Sequence, residues 1–335
     1  MRLVDLVRKS GRRLVVPLAG FPGTALTGSS IKQNGFNAEL QYRSLYKLAE
    51  LTQPDAQFVM MDLSVEANAL GLPVRFPLHD SATVEWHPVE KAEDLDQYRA
   101  VDPLADGRVW VFLETIRRLV DRLTIPVGGY AIGPFTLAGL MFGAQRIALA
   151  TLDTPELVKS ALDFCEQIIV RYAKAQVEAG AKIIMMLEPT AVLLGPNMFW
   201  EFSGRSVRQI FRHLDCMTVL HICGDTTAMV EPMCKTEVHG LSLDSMLDMP
   251  AAAARMPGDV VLMGNVDPVN VLLRGAPADV ERATRDLLDR MAGCENFILS
   301  SGCDIPAEAP LANLKTFVHT GKQHCPAHKP LAQAG

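Results

Sequence analysis

The chain predicts an α/β protein and, within that class, a (β/α)8 TIM barrel. Three observations point there. Short apolar runs rich in β-branched residues alternate with longer amphipathic segments. There are eight such runs in 335 residues. No Gly-rich linker, charge block or low-complexity tract divides the chain. Strand followed by helix, repeated, makes a parallel sheet. Eight units at this length favour a closed barrel over an open doubly wound sheet, which would give the same local pattern. One domain over residues 1–335 is expected, with a tail from about 322 to 335.

In chain order the runs are RLVVPLAG (13–20), QFVMMDLS (57–64), TIPVGGYAIG (124–133), AKIIMMLEP (181–189), MTVLHICG (217–224), VHGLSLD (238–244), DVVLMGNVD (259–267) and NFILSSGCD (296–304). Between them lie segments such as TPELVKSALDFCEQIIVRYAKAQVEAG, apolar at helical spacing, opened by threonine and proline and closed by glycine. The stretch from Phe21 to Gln53 is long for a loop after a first strand. It is expected to carry an extra helix over the barrel mouth.

Composition excludes several classes. With 49% apolar and 21% charged residues the chain belongs with soluble globular proteins, not disordered ones. A net charge of −6 without any basic run argues against a nucleic-acid partner. The polar start MRLVDLVRKSGRR is no secretory signal, and no window reaches the ~18 apolar residues a spanning helix needs, so a cytoplasmic protein without membrane contact is expected. Seven widely spaced cysteines, an odd number, do not suggest a disulfide framework.

Barrel chemistry sits at the carboxyl ends of the strands. That rule selects Asp62, Glu188, His221, Cys223, Asp244, Asn265, Asp267 and Cys303 from the polar residues. A histidine or a cysteine on an apolar strand is, taken alone, most simply a core residue. Two strand ends some 80 residues apart become neighbours on one rim, however, and neutral imidazole with two thiolates matches zinc. Two thiolates cancel the charge of the ion, which makes such a site a poor generator of hydroxide. It suits the binding of an incoming thiol as an electron-rich thiolate.

At these residues the sequence resembles the uroporphyrinogen decarboxylase superfamily, and within it the corrinoid-dependent methyltransferases. DLSVEANALG (62–71), GPFTLAGLMFG (133–143) and GNVDPVNVLL (264–273) are similar to segments of both branches. HICG and GCDIPAEAP choose between them. The decarboxylases typically carry a histidine at the position of Cys303 and an arginine-rich first motif that binds substrate carboxylates. Here there is no arginine between Arg13 and Arg43.

The resemblance implies His221, Cys223 and Cys303 as zinc ligands, with Asp244 as a fourth ligand or as a partner of His221. It implies methyl transfer between a methylcorrinoid, methylcobalamin on a separate corrinoid protein, and a small thiol such as coenzyme M. The chain itself has no D-x-H-x-x-G corrinoid-binding motif. Two other readings share the family: a demethylating enzyme that passes a methyl group from a methoxylated or methylated substrate to a corrinoid protein, and a tetrapyrrole decarboxylase. Asp62, Glu188 and Asn265 remain candidates for substrate contact, with loop capping as the competing role for Asp62. Asn265 and Asp267 are also read as shaping the loop after the seventh strand. Cys165, Cys216, Cys234 and Cys294 are expected to be structural, and HCPAH (324–328) is expected to be tail and no metal cluster.

Overall fold

The computed structural model describes residues 2–324. Its strands are β1 (Gln57–Phe58), β2 (Val74–Arg75), β3 (Thr83–Val84), β4 (Val127–Ile132), β5 (Ile183–Leu187), β6 (Met217–Ile222), β7 (Gly240–Leu243), β8 (Val261–Val266) and β9 (Phe297–Ser301). Seven of them form one sheet in the order β1-β4-β5-β6-β7-β8-β9, every pair parallel. Each strand from β4 to β9 is buried along its whole length. Strands covered on both faces need no polar alternation, which is why they read as continuous apolar runs. β2 and β3 form a small antiparallel pair outside the barrel sheet.

The first apolar run closes the ring without becoming a full strand. Val15 bridges Leu299 in parallel, with Val16 N–H donating to Leu299 O at 2.9 Å and Leu299 N–H to Leu14 O at 3.0 Å. The next N–H toward β9, that of Leu18, goes to Ser301 Oγ at 3.1 Å instead of a backbone carbonyl, and Pro17 has no N–H to offer the opposite edge. On the other edge Asp55 takes over: its N–H donates to Val15 O at 2.9 Å, and its Oδ2 accepts from Val15 N–H at 2.7 Å. Arg12 and Lys322 flank the same carboxylate. Burial alone would raise the Asp55 pKa, but these donors outweigh it and hold the carboxyl below its ordinary range. The expected barrel is present, with this run as its eighth element.

The helices follow the predicted alternation. The longest, Pro155–Glu178, starts at a proline suited to its first turn and buries Val158, Ala161, Leu162, Cys165, Ile169, Tyr172 and Ala173 at helical spacing. The Phe21–Gln53 segment folds as Gly23–Thr27, Ile31–Gly35 and Ala38–Thr52, so three helices stand where one was expected. The last helix, Leu311–Gln323, runs past the expected start of the tail at 322, because Phe317, Val318 and Gly321 pack it to its end. His324 follows it, and the rest of HCPAH lies outside the described residues. Among the described residues no single helix is long and apolar enough to cross a membrane.

Asp55 is therefore the clasp between the closing run and β1. Replacing it by alanine leaves Val15 N–H without its partner and Arg12 without its carboxylate. The expected cost is about 2 kcal/mol of unfolding free energy, read from urea melts of both proteins; an unchanged midpoint would contradict the clasp.

Candidate metal centre

His221 lies in β6, Cys223 one residue beyond it, and Cys303 two residues beyond β9. Strand alternation turns His221 inward, where it is 1% exposed. Its Nε2 stands 3.1 Å from Cys223 Sγ, and Cys223 Sγ stands 3.3 Å from Cys303 Sγ. Among the described residues these three donors form the one group of its kind, all within 4.8 Å of one another. The turn that delivers Cys303 depends on Gly302, since a Cβ there would fall 2.4 Å from Ser245 N.

The tautomer of His221 follows from its other nitrogen. Nδ1 is 3.2 Å from the carbonyl oxygen of Ser242 and 3.1 Å from its Oγ. A carbonyl can only accept, so Nδ1 carries the hydrogen and Nε2 presents a lone pair to the sulfurs. This is the orientation a metal-binding histidine needs. The two sulfurs are unequal. The hydrogen bond from Cys303 lowers the Cys223 pKa despite burial, while that same bond and burial push Cys303 up. Of the two, Cys223 is the easier to deprotonate.

One nitrogen and two sulfurs are a donor set suited to zinc, whose ligands at roughly 2.0–2.3 Å stand about 3.3–3.8 Å apart in a tetrahedron; the 3.1 and 3.3 Å separations would open slightly around the ion. The uroporphyrinogen decarboxylase (URO-D) family model matches residues 20–324. The chain belongs to the uroporphyrinogen decarboxylase family. It is 34% identical over 278 residues to "Methylcobamide:CoM methyltransferase MtbA" of Methanosarcina acetivorans, covering 81% of this chain and 80% of the relative. A "Uroporphyrinogen decarboxylase" of Prochlorococcus marinus is 24% identical over 310 residues, covering 88% and 85%. In fold, a "methyltransferase from Methanosarcina mazei" superposes with a TM-score of 0.87 at 24% identity, covering 95% of this chain and 96% of that one.

The remaining predicted residues brace this family's mouth. Asp244 stands outside the cluster of donors. Its Oδ2 accepts from Gly224 N–H at 2.9 Å and its Oδ1 from Met246 N–H at 3.1 Å. The bond to His221 that the sequence suggests for Asp244 is made by Ser242 instead, because Ser242 is the register partner of His221. Asn265 Nδ2 donates to the carbonyls of Asp244 and Leu247 at 2.9 and 2.8 Å, and Asp267 caps the turn at Val269 and Asn270.

Glu188 spends its oxygens on the N–H groups of Phe135 and Thr136 and on Ser203 Oγ, at 2.7–2.9 Å. It caps the helix that follows β4. Asp62 accepts from Ser64 N–H and Oγ at 2.8 and 2.6 Å and pairs with the buried Arg108. These bonds make Asp62 first of all the partner of Arg108 and of its own turn.

Four residues escaped the reading of the sequence. Arg108 is 3% exposed and lies against the rings of Phe36, Phe76 and Phe112, 4.7–6.0 Å away. It ties the N-terminal helices to Asp62. Ser242 lies within an apolar run, and only strand register links it to His221. Asp304, beside Cys303, has its Oδ1 sealed and unpaired, and burial with the Cys303 charge holds its pKa well up.

The fourth, Glu66, sits in the family segment DLSVEANALG, 1% exposed, accepting from Ile132 N–H at 2.8 Å. Burial pushes its pKa up to about 8. Between the unfolded value near 4.5 and about 8 the unfolded chain loses a proton that the folded chain keeps, so stability falls as pH rises through that window. The slope reaches about 1.4 kcal/mol per pH unit. The Glu66→Gln variant has no such proton, and its stability relative to the parent should grow from pH 5 to pH 8. Denaturant melts across that range check it, and a constant difference would count against the assignment.

Proposed function

We propose that the chain is a zinc-dependent methyltransferase that moves a methyl group between a methylcorrinoid, carried on a separate corrinoid protein, and a small thiol such as coenzyme M. The observation that carries this reading is the convergence of His221 Nε2, Cys223 Sγ and Cys303 Sγ within 4.8 Å. The similarity to methylcobamide:CoM methyltransferases supports the donor and acceptor classes.

Zinc held by these three residues would keep one position open for the thiol and let it lose its proton near neutral pH. The protein supplies the remainder. Ser242 keeps the Nε2 lone pair of His221 turned to the site. The two cysteine sulfurs supply negative charge that keeps an incoming sulfur electron-rich and nucleophilic. Asp244, through Gly224 N–H, holds the loop that carries Cys223, and Asn265 holds the loop that carries Asp244. A rigid rim of this kind aligns sulfur and methyl group for in-line transfer.

A decarboxylase acting on a tetrapyrrole draws less support. Its carboxylate-rich substrate would meet a first loop without arginine, and Asp62 is already paired with Arg108.

Purified protein should hold about one zinc per chain and convert methylcobalamin and coenzyme M to the methyl thioether, with cob(I)alamin as the leaving group and release of the thiol proton. Cys223→Ser and Cys303→Ser should each lower zinc content and cut turnover by about 100-fold or more. Metal analysis and a thiol-consumption assay check both. Full activity in zinc-free protein would contradict the reading; turnover of a methyl ether with no turnover of any thiol would favour the demethylating enzyme.

A further inference from the structure

A buried phenol without a partner lies under the metal centre. In β4, Gly129 faces the outer helices, since a Cβ there would meet Gln176 at 1.9 Å and Ile116 at 3.4 Å. Alternation therefore turns Gly128 and Tyr130 into the barrel. A Cβ on Gly128 would lie 2.4 Å from the ring of Phe58. Glycine leaves the space in which that ring stacks on Tyr130, centroids 5.0 Å apart at 28°. Tyr130 is thus fixed by its ring and has its hydroxyl to spare.

Register places it below the ligands. Tyr130 pairs with Met185, and Met185 with Val219, two residues before His221, or about 7 Å along the strand. Tyr130 is 5% exposed, and the groups whose charges act on it are Asp304 and Cys303. No described residue hydrogen-bonds its hydroxyl, and that oxygen is not among the sealed atoms, so it borders open space in the barrel. Asp304 Oδ1, beside Cys303, is a second polar atom without a partner. Buried hydroxyls are ordinarily satisfied, so a phenol that borders open space without a partner marks a place kept for a polar ligand.

We propose that Tyr130 is a substrate-binding residue whose phenol donates a hydrogen bond to an oxygen acceptor on the far end of the small thiol. The proposal rests on the thiol reading of the centre. A methyl donor docked over the mouth approaches the sulfur from above, so the tail of the thiol is directed down into the barrel, where Tyr130 stands. The site then takes thiols that carry an oxygen-bearing polar end in preference to alkyl thiols of the same length.

The test compares wild-type and Tyr130→Phe protein, both zinc-loaded, by calorimetric titration with coenzyme M and with ethanethiol, which lacks the oxygens. The variant should keep its zinc content and melting temperature. It should bind coenzyme M about tenfold more weakly and ethanethiol unchanged, with KM for coenzyme M raised and kcat kept. Equal losses for both thiols, or no loss for either, would overturn the assignment while leaving the thiol reading in place. A wild-type protein that binds neither thiol would overturn both.

Discussion

Everything at the centre depends on the register that runs unbroken from β4 to β9. His221 and Cys303 are far apart in the chain, and no local motif joins them. They meet because β6, β7, β8 and β9 lie side by side in parallel and end at one rim. The same register sets Ser242 against His221, which decides the imidazole tautomer, and Met185 against Tyr130, which sets the depth of the phenol. Closure of the ring by the Leu14–Gly20 run, held to Leu299 on one side and to Asp55 on the other, keeps that rim in shape.

Charge is arranged around the centre in a consistent way. Carboxylates near the mouth are either paired or occupied: Asp62 by Arg108, Asp244 by backbone N–H groups, Glu188 by a helix terminus and Ser203. What stays without such partners is the sulfur and imidazole cluster and the phenol of Tyr130.

Much of this was legible in the sequence, because buried parallel strands announce themselves as apolar runs and because strand ends in a barrel share one face. That rule set His221, Cys223 and Cys303 on one rim, and the resemblance implied their role as ligands. The first strand was legible as an element but not as a bridge; the turn of Leu18 N–H to Ser301 Oγ, with Pro17 before it, is the local reason. The role of Asp244 was not legible. The resemblance implied a fourth ligand or a partner of His221, whereas pleat alternation sets Ser242 against that histidine and Asp244 accepts from Gly224 N–H. Arg108 gave no signal either: a basic residue in the first turn of an amphipathic helix reads as solvated until Phe36, Phe76 and Phe112, from separate segments, are seen to enclose it. Asp304 was overshadowed by the cysteine beside it.

X-ray absorption at the zinc edge, recorded before and after addition of coenzyme M, addresses the central claim directly. One nitrogen and two sulfur neighbours are expected at about 2.0–2.3 Å, rising to three sulfurs with the thiol present. A sulfur count that does not change on adding thiol, or a zinc shell without cysteine sulfur, would contradict it.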